Sequence, residues 1–273
     1  MSIQEIWGWN SAPFARGSDG SVFYESHAQR EALARIELVI EGHGFGLITG
    51  EVGSGKSTFV RRIVRELDDI QYFAMYVCKA NLKPRDFYGE ILTQLGESVP
   101  FSVAKARKVW EERALSQAER PDRQWIVVVD EAQEMSDDML QELRFLRNQT
   151  MDAQSAFALI LTGQPELRRR LRLKKYEAIA QRLDMVYHLH GLTQDETTAY
   201  IRQQMQQAGA TLPVFSDQAI RSIYRASQGL PRLVNHLCTQ SLYVAAPQKS
   251  EVVDEGHVQS VLADQEQQRG TAG

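Results

Sequence analysis

Four short runs of this chain are nearly devoid of polar side chains: FGLIT at 45–49, YFAMYV at 72–77, WIVVV at 125–129 and FALILT at 157–162. A strand with one wet face alternates apolar and polar residues, so the short apolar run FGLIT, closed by Gly50, reads as a buried strand, and the other three read as strands beside it. Between them the period changes. Phe59, Val60, Ile63, Val64 and Leu67 share one helical face, as do Phe87, Ile91, Leu92 and Leu95, and then Met139, Leu140, Leu143 and Leu146. Residues 26–41 place Leu33, Ile36 and Ile40 at helical spacing after a polar start at Ser26 and His27, and 102–118 read as a helix of mixed charge. With a shorter strand, MVYHL at 185–189, the pattern predicts an α/β fold: a parallel sheet covered by helices.

After about residue 192 the strand pattern stops. HGLTQDE, VFSDQ, GLPRL and VVDEGHV each read as a helix start, predicting a small all-helical unit over 193–264 that follows a large domain over 26–192. Residues 1–25 are a separate aromatic segment, and the polar end QEQQRGTAG (265–273) reads as a flexible tail.

Composition narrows the function classes. The 31 basic and 35 acidic residues leave a net charge of −4, so attraction to nucleic acid must come from local patches or from assembly. No apolar run approaches the roughly 20 residues of a membrane-spanning helix. The start, MSIQEIWGWN, lacks the basic and apolar regions of a signal peptide. Cys78 and Cys238 form no metal or redox spacing, and a cytoplasmic setting without membrane contact is the expectation.

Gly50-Glu51-Val52-Gly53-Ser54-Gly55-Lys56-Ser57 matches GxxxxGK[ST] between a predicted strand and a predicted helix, the context the motif requires. Glycines let the backbone wrap phosphates so that its N–H groups and the helix N-terminus meet negative charge. Lys56 is expected to reach the β- and γ-phosphates of ATP and Ser57 to ligate Mg²⁺, with Thr58 beside it in the same nucleotide-binding segment. In Val127-Val128-Val129-Asp130-Glu131, Asp130 ends a buried strand and is the expected second holder of Mg²⁺. Glu131 is placed to orient and polarise the attacking water.

These motifs, with VVVDEAQ, LTGQPEL, an Arg near the end of the large domain and a GLPR helix start in that order, resemble the AAA+ ATPases. The resemblance is nearest to the ExeA/GspA-like ATPases and their transposition relatives, the MuB, TnsC and TniB group, and runs from about Trp7 to Leu262. It implies an AAA+ P-loop sheet with a helical lid. Thr162 then stands at the sensor-1 position, near the γ-phosphate, with Gln164 as the fallback because Asn is more usual there. Arg182 occupies the arginine-finger region, and Arg232 matches the sensor-2 lid Arg. WGWNSAPF and Phe23-Tyr24 resemble the segment before the first helix. Trp7, Trp9 and Phe14 either pack near adenine or form a clasp on the core, the reading favoured by the usual packing role of aromatics. His27 and Gln29 are possible adenine-side contacts.

Three basic clusters remain: Lys79 with Lys83 and Arg85, then Lys105, Arg107 and Lys108 in SVAKARKVW, then LRRRLRLKKY at 167–176. Each alone is an ordinary solvated face. In a ring or filament the phosphate contacts of many subunits would sum into salt-sensitive, sequence-independent DNA binding. In the transposition relatives the DNA-facing elements follow the second strand, which makes Lys83, Arg85, Lys105, Arg107 and Lys108 the candidates. For LRRRLRLKKY a subunit-interface or surface role is expected.

The resemblance therefore implies a slow, assembly-dependent ATP hydrolase. The leading expectation is a homo-oligomer on duplex DNA that regulates transposition beside a transposase, with hydrolysis dissolving the assembly. The alternative is an ExeA/GspA-type ATPase that assembles a secretion or envelope complex. Those proteins carry a membrane segment and a peptidoglycan-binding part after the ATPase core, which this chain lacks, so the expectation leans to DNA. A scaffold that uses ATP only for assembly is the third reading, and intact Lys56, Asp130 and Glu131 argue against it.

Overall fold

The computed structural model describes residues 3–14, 24–119, 123–146, 155–248 and 250–270. Phe23 and the last three residues of the expected tail lie outside them. The chain divides into two compact units, one from the described residues within Gln29–Val52 and Lys56–Leu189, the other from those within Met1–Ala28, Gly53–Gly55 and His190–Gly273.

The first unit holds five strands: β1 (Phe45–Thr49), β2 (Tyr72–Cys78), β3 (Gln124–Asp130), β4 (Phe157–Gly163) and β5 (Met185–His188). All pair in parallel, in the order β2-β3-β4-β1-β5. Every residue of β1 and β4 is buried, whereas the edge strands β2 and β5 are only partly so. That difference explains why the central runs carry no polar side chain except Thr49 and Thr162, both at carboxyl ends.

Alternate strand residues feed the two faces. Phe45, Leu47, Val127, Val129, Phe157, Leu159 and Leu161 join a core with Phe87 and Ile91 of helix Pro84–Gln94, Trp110 of helix Val103–Glu119, and Leu140 and Leu143 of helix Asp137–Leu146. Ile48, Ile126, Val128 and Ile160, on the intervening positions, are equally buried. Helix Lys56–Glu66, with Phe59, Val60 and Ile63 buried, packs on β4. Because all five strands run one way, Thr49, Cys78, Asp130, Gly163 and His188 end at one edge of the sheet, where parallel α/β sheets bind their ligands.

The second unit is helical: Gln194–Ala208, Asp217–Ser227, Pro231–Ala245 and Glu255–Gly270. Its core joins Ile201, Phe215, Ile223, Leu237, Leu242 and Val258 with Ile3 and Phe14 from the N-terminal segment. Trp7 and Trp9 stack with ring centroids 5.1 Å apart and pack against the same core. Among the described residues of that segment, Ile3, Trp7, Trp9 and Phe14 thus pack with the helical core. The final helix continues to Gly270, so Gln265–Gly270, expected in the tail, is helical. Gln, Glu and Arg are good helix formers, and polarity alone does not end a helix.

Thr193 and Glu196 close a capping box at the start of helix Gln194–Ala208. Glu196 also accepts from the backbone N–H of His27 at 2.7 Å and from that of Thr193 at 2.9 Å. Burial raises its pKa, but these N–H donors outweigh it and hold the carboxyl below the ordinary value of 4.5. A lowered folded-state pKa contributes stability that is complete above the unfolded value and lost as pH falls through the folded one. Glu196→Gln is expected to cost about 1 kcal/mol at pH 7. In chemical denaturation, the gap between the variant and the wild type should close as the pH drops below 4.5.

Candidate active site

The segment after β1 leaves the sheet as a glycine-rich loop and re-enters regular structure at Lys56, the first residue of helix Lys56–Glu66. Gly53 and Gly55 hold φ of +85° and +93°, which residues with a Cβ adopt only at a cost. The Gly50 N–H donates to the Gly163 carbonyl at 3.2 Å, joining the loop to the end of β4. Lys56 is buried and donates from Nζ to the carbonyls of Gly50 at 2.7 Å and Glu51 at 2.9 Å. The Ser54 hydroxyl is buried with no hydrogen-bond partner among the described residues. An unsatisfied hydroxyl in a glycine-rich segment that leads directly into the first turn of a helix fits an anion of phosphate type.

Asp130 closes β3 and is 2% exposed. It accepts from the hydroxyls of Tyr76 at 2.6 Å and Thr162, and from the Glu131 N–H at 2.9 Å. Burial raises its pKa, but the hydrogen bonds from Thr162, Tyr76 and Ser57 prevail and hold the carboxyl below its usual value. The proton is thereby kept off, leaving a carboxylate beside the Ser57 hydroxyl, an oxygen pair suited to Mg²⁺. Burial first, and then its hydrogen bond to Asp130, push the Tyr76 phenol up.

Glu131 stands in the left-handed region at φ +51°, where a side chain costs roughly 1–2 kcal/mol. It precedes a single 3-10 turn, Ala132–Glu134. Gln133 donates from Nε2 to Glu131 Oε2 at 2.6 Å, and its Oε1 accepts from the Gln164 N–H at 2.9 Å. Tyr76 and Gln133 have no assigned role in the sequence reading. Gln133 is visible in DEAQ, but the hydroxyl of Tyr76 meets Asp130 only through the β2–β3 register, in which Cys78 faces Asp130.

Thr162 is fully buried and spends its hydroxyl on Asp130, so its contact is with the carboxylate. Gln164 is the N-cap residue of helix Pro165–Leu171. Arg182 donates to the Arg144 carbonyl at 2.7 Å, within its own chain. Arg232 lies in the first turn of helix Pro231–Ala245, and its N–H donates to the Gly53 carbonyl at 3.3 Å. Gln29 is buried, and Thr58, Glu51 and Val52 are exposed.

The basic clusters separate by their partners. Arg107, expected on DNA, instead makes a two-pronged pair with Glu142 at 2.6 Å through both Nε and Nη2. Glu142 is 5% exposed and also accepts from the Tyr88 hydroxyl at 2.7 Å. A buried carboxylate requires such partners, and freeing Arg107 for a phosphate would strand it. Arg85 lies over the Phe101 ring at 4.6 Å, Lys79 pairs with Asp86 at 2.9 Å, and Lys108 stands 3.8 Å from Glu112. Lys83 and Lys105 are exposed. In LRRRLRLKKY, Leu167, Leu171 and Tyr176 are buried, while Arg170 and Lys175 both bind Asp137. Hydrogen bonding, from Lys175 most of all and also from Arg170, holds that carboxyl well below its usual range.

No helix among the described residues is long and apolar enough to cross a membrane. Residues 39–171 match the family model of the AAA domain. Over 259 residues the chain is 31% identical to General secretion pathway protein A of Aeromonas hydrophila, across 93% of this chain and 47% of that protein. It thus spans about half the length of that curated relative. Among solved structures it is similar to Cdc6p from Pyrobaculum aerophilum, with a TM-score of 0.64 and 16% identity over 89% of this chain and 69% of that one. The Aeropyrum pernix ORC1 protein in complex with DNA is similar to the same degree, TM-score 0.64 at 17% identity, over 88% of this chain and 65% of that one. At these identities the two structures speak to the fold. A P-loop between β1 and its helix, a carboxylate ending β3 in a five-stranded parallel sheet, and a C-terminal helical unit give this chain the AAA+ P-loop fold, with an AAA domain at residues 39–171.

Proposed function

We propose that the chain is a Mg²⁺-dependent ATP hydrolase of the General secretion pathway protein A kind, working in the assembly of a secretion or envelope complex. The observation that carries the hydrolase reading is Asp130, a buried carboxylate held by the hydroxyls of Thr162 and Tyr76 at the carboxyl end of β3, on the sheet edge from which the glycine loop leaves β1. The 31% identity over 93% of the chain supports the secretion-type role.

In this reading Lys56 and the backbone N–H groups of the loop hold the β- and γ-phosphates, and Ser57 and Asp130 hold Mg²⁺. When bound, the ion neutralises charge that develops between those phosphates. Glu131 orients water and takes its proton. Arg232 is proposed to contact phosphate, and Arg182 to serve a neighbouring copy once released from the Arg144 carbonyl.

Phosphate release by the full chain, with Mg²⁺ and with excess EDTA, tests the hydrolase reading. Lys56→Ala is expected to lower turnover about 100-fold or more, since it removes a charge aimed at the reacting phosphates. A wild-type rate no higher than that variant's would sink the proposal.

The comparisons give the transposition reading no support and favour the secretion-type one. A role on DNA keeps one observation in its favour, the similarity to a fold solved in complex with DNA. Turnover that rises with duplex DNA at low salt, and loses that rise at high salt, would move it forward.

A further inference from the structure

We propose that Gln133 is the positioning residue for Glu131: its amide aims the carboxylate that activates water, while its other end is anchored to the start of helix Pro165–Leu171. The inference rests on the hydrolase reading above and adds a residue to it.

Chemistry settles the orientation of the amide. The Gln164 backbone N–H only donates, so the atom facing it at 2.9 Å is the Gln133 oxygen. The opposite atom, 2.6 Å from Glu131 Oε2, is therefore the nitrogen, which donates. One carboxylate oxygen is occupied by this bond, leaving the other for water. Gln133 itself has little freedom. Arg170 donates to its carbonyl at 2.8 Å and to that of Met135 at 2.9 Å, pinning the 3-10 turn. The side chain lies over Gly163, where an added Cβ would come within 2.8 Å of Gln133 Oε1. Glycine at that position is what gives the amide its path.

Glu131 needs such an aim. It sits in left-handed backbone at φ +51°, outside any strand or helix. A carboxylate misplaced by about 1 Å is enough to cost on the order of 100-fold in rate.

The test separates aiming Glu131 from merely holding the Gln164 loop. Gln133→Glu keeps an oxygen towards the Gln164 N–H but sets an acceptor against Glu131, whereas Gln133→Met removes both bonds. If Gln133 aims Glu131, both variants of the full chain lose about 10- to 100-fold in kcat, with ATP affinity by titration within about threefold of wild type. In a Glu131→Gln background, Gln133→Glu should change the residual rate by less than about threefold, because it acts through the missing carboxylate. Gln133→Glu at the wild-type kcat would overturn the proposal, as would an equal loss in both backgrounds. Gln133→Glu preserves volume and carries the test if the methionine variant unfolds. A wild type that turns over no faster than Glu131→Gln would instead show that the hydrolase reading has failed.

Discussion

Glu131→Gln is expected to bind ATP as tightly as the wild type and to hydrolyse it about 100-fold more slowly or worse, the loss typical of removing a general base. The split follows from where Glu131 stands. The glycine loop is organised by Lys56 on the carbonyls of Gly50 and Glu51 and by the Gly50 contact with Gly163, none of which involves Glu131. The Asp130 cluster takes only the Glu131 backbone N–H, which an amide side chain leaves in place. Gln133 can still pair with a glutamine, so the turn is kept and the change is confined to proton acceptance. Single-turnover phosphate release and ATP titration on the same preparation check both halves. A variant with half the wild-type rate would remove Glu131 from the mechanism.

Trp110→Ala is expected to cost about 3–5 kcal/mol of folding stability, a large part of the roughly 5–15 kcal/mol of an ordinary domain. Its ring is fully buried, with centroids 5.8 Å from Trp125 on β3 and 5.1 Å from Phe157 on β4. Truncation opens a cavity between helix Val103–Glu119 and two central strands, which rigid neighbours fill only in part. Trp110→Phe should lose much less, because it keeps an aromatic ring and deletes an indole N–H that has no partner among the described residues. Urea denaturation of the three proteins gives the comparison. A loss below about 1 kcal/mol for the alanine variant would mean that the site collapses around the gap.

Trp110 also marks where sequence reading stopped short. SVAKARKVW reads as a mixed-charge helix with a DNA-facing basic cluster. In the fold, Ala106, Trp110 and Ala114 form its buried stripe, and Arg107 turns to Glu142, 35 residues away in the chain. An arginine is indistinguishable from a solvated one until the carboxylate that claims it is located. Similarly, WGWNSAPF left open whether its aromatics meet nucleotide or core, and the Phe14 ring lies edge-on to Phe215 within the helical core, a contact no local pattern announces.

The sequence by itself determined the buried strands, the phosphate-type loop at Gly50–Ser57 and the acidic end of β3. Each depends on residues within a few positions of one another, where period and stereochemistry act directly. The tertiary structure alone decided the strand order, the hold of Tyr76 and Thr162 on Asp130, the bridge of Gln133 from Glu131 to Gln164, and the loss of Arg107 to Glu142. The Tyr76, Thr162, Gln164 and Glu142 contacts join groups about 30 or more residues apart, and the short Gln133–Glu131 bond depends on the amide being turned by Gln164. Strand register and helix packing set those approaches, and a side chain's charge or hydroxyl says nothing of its partner until they do.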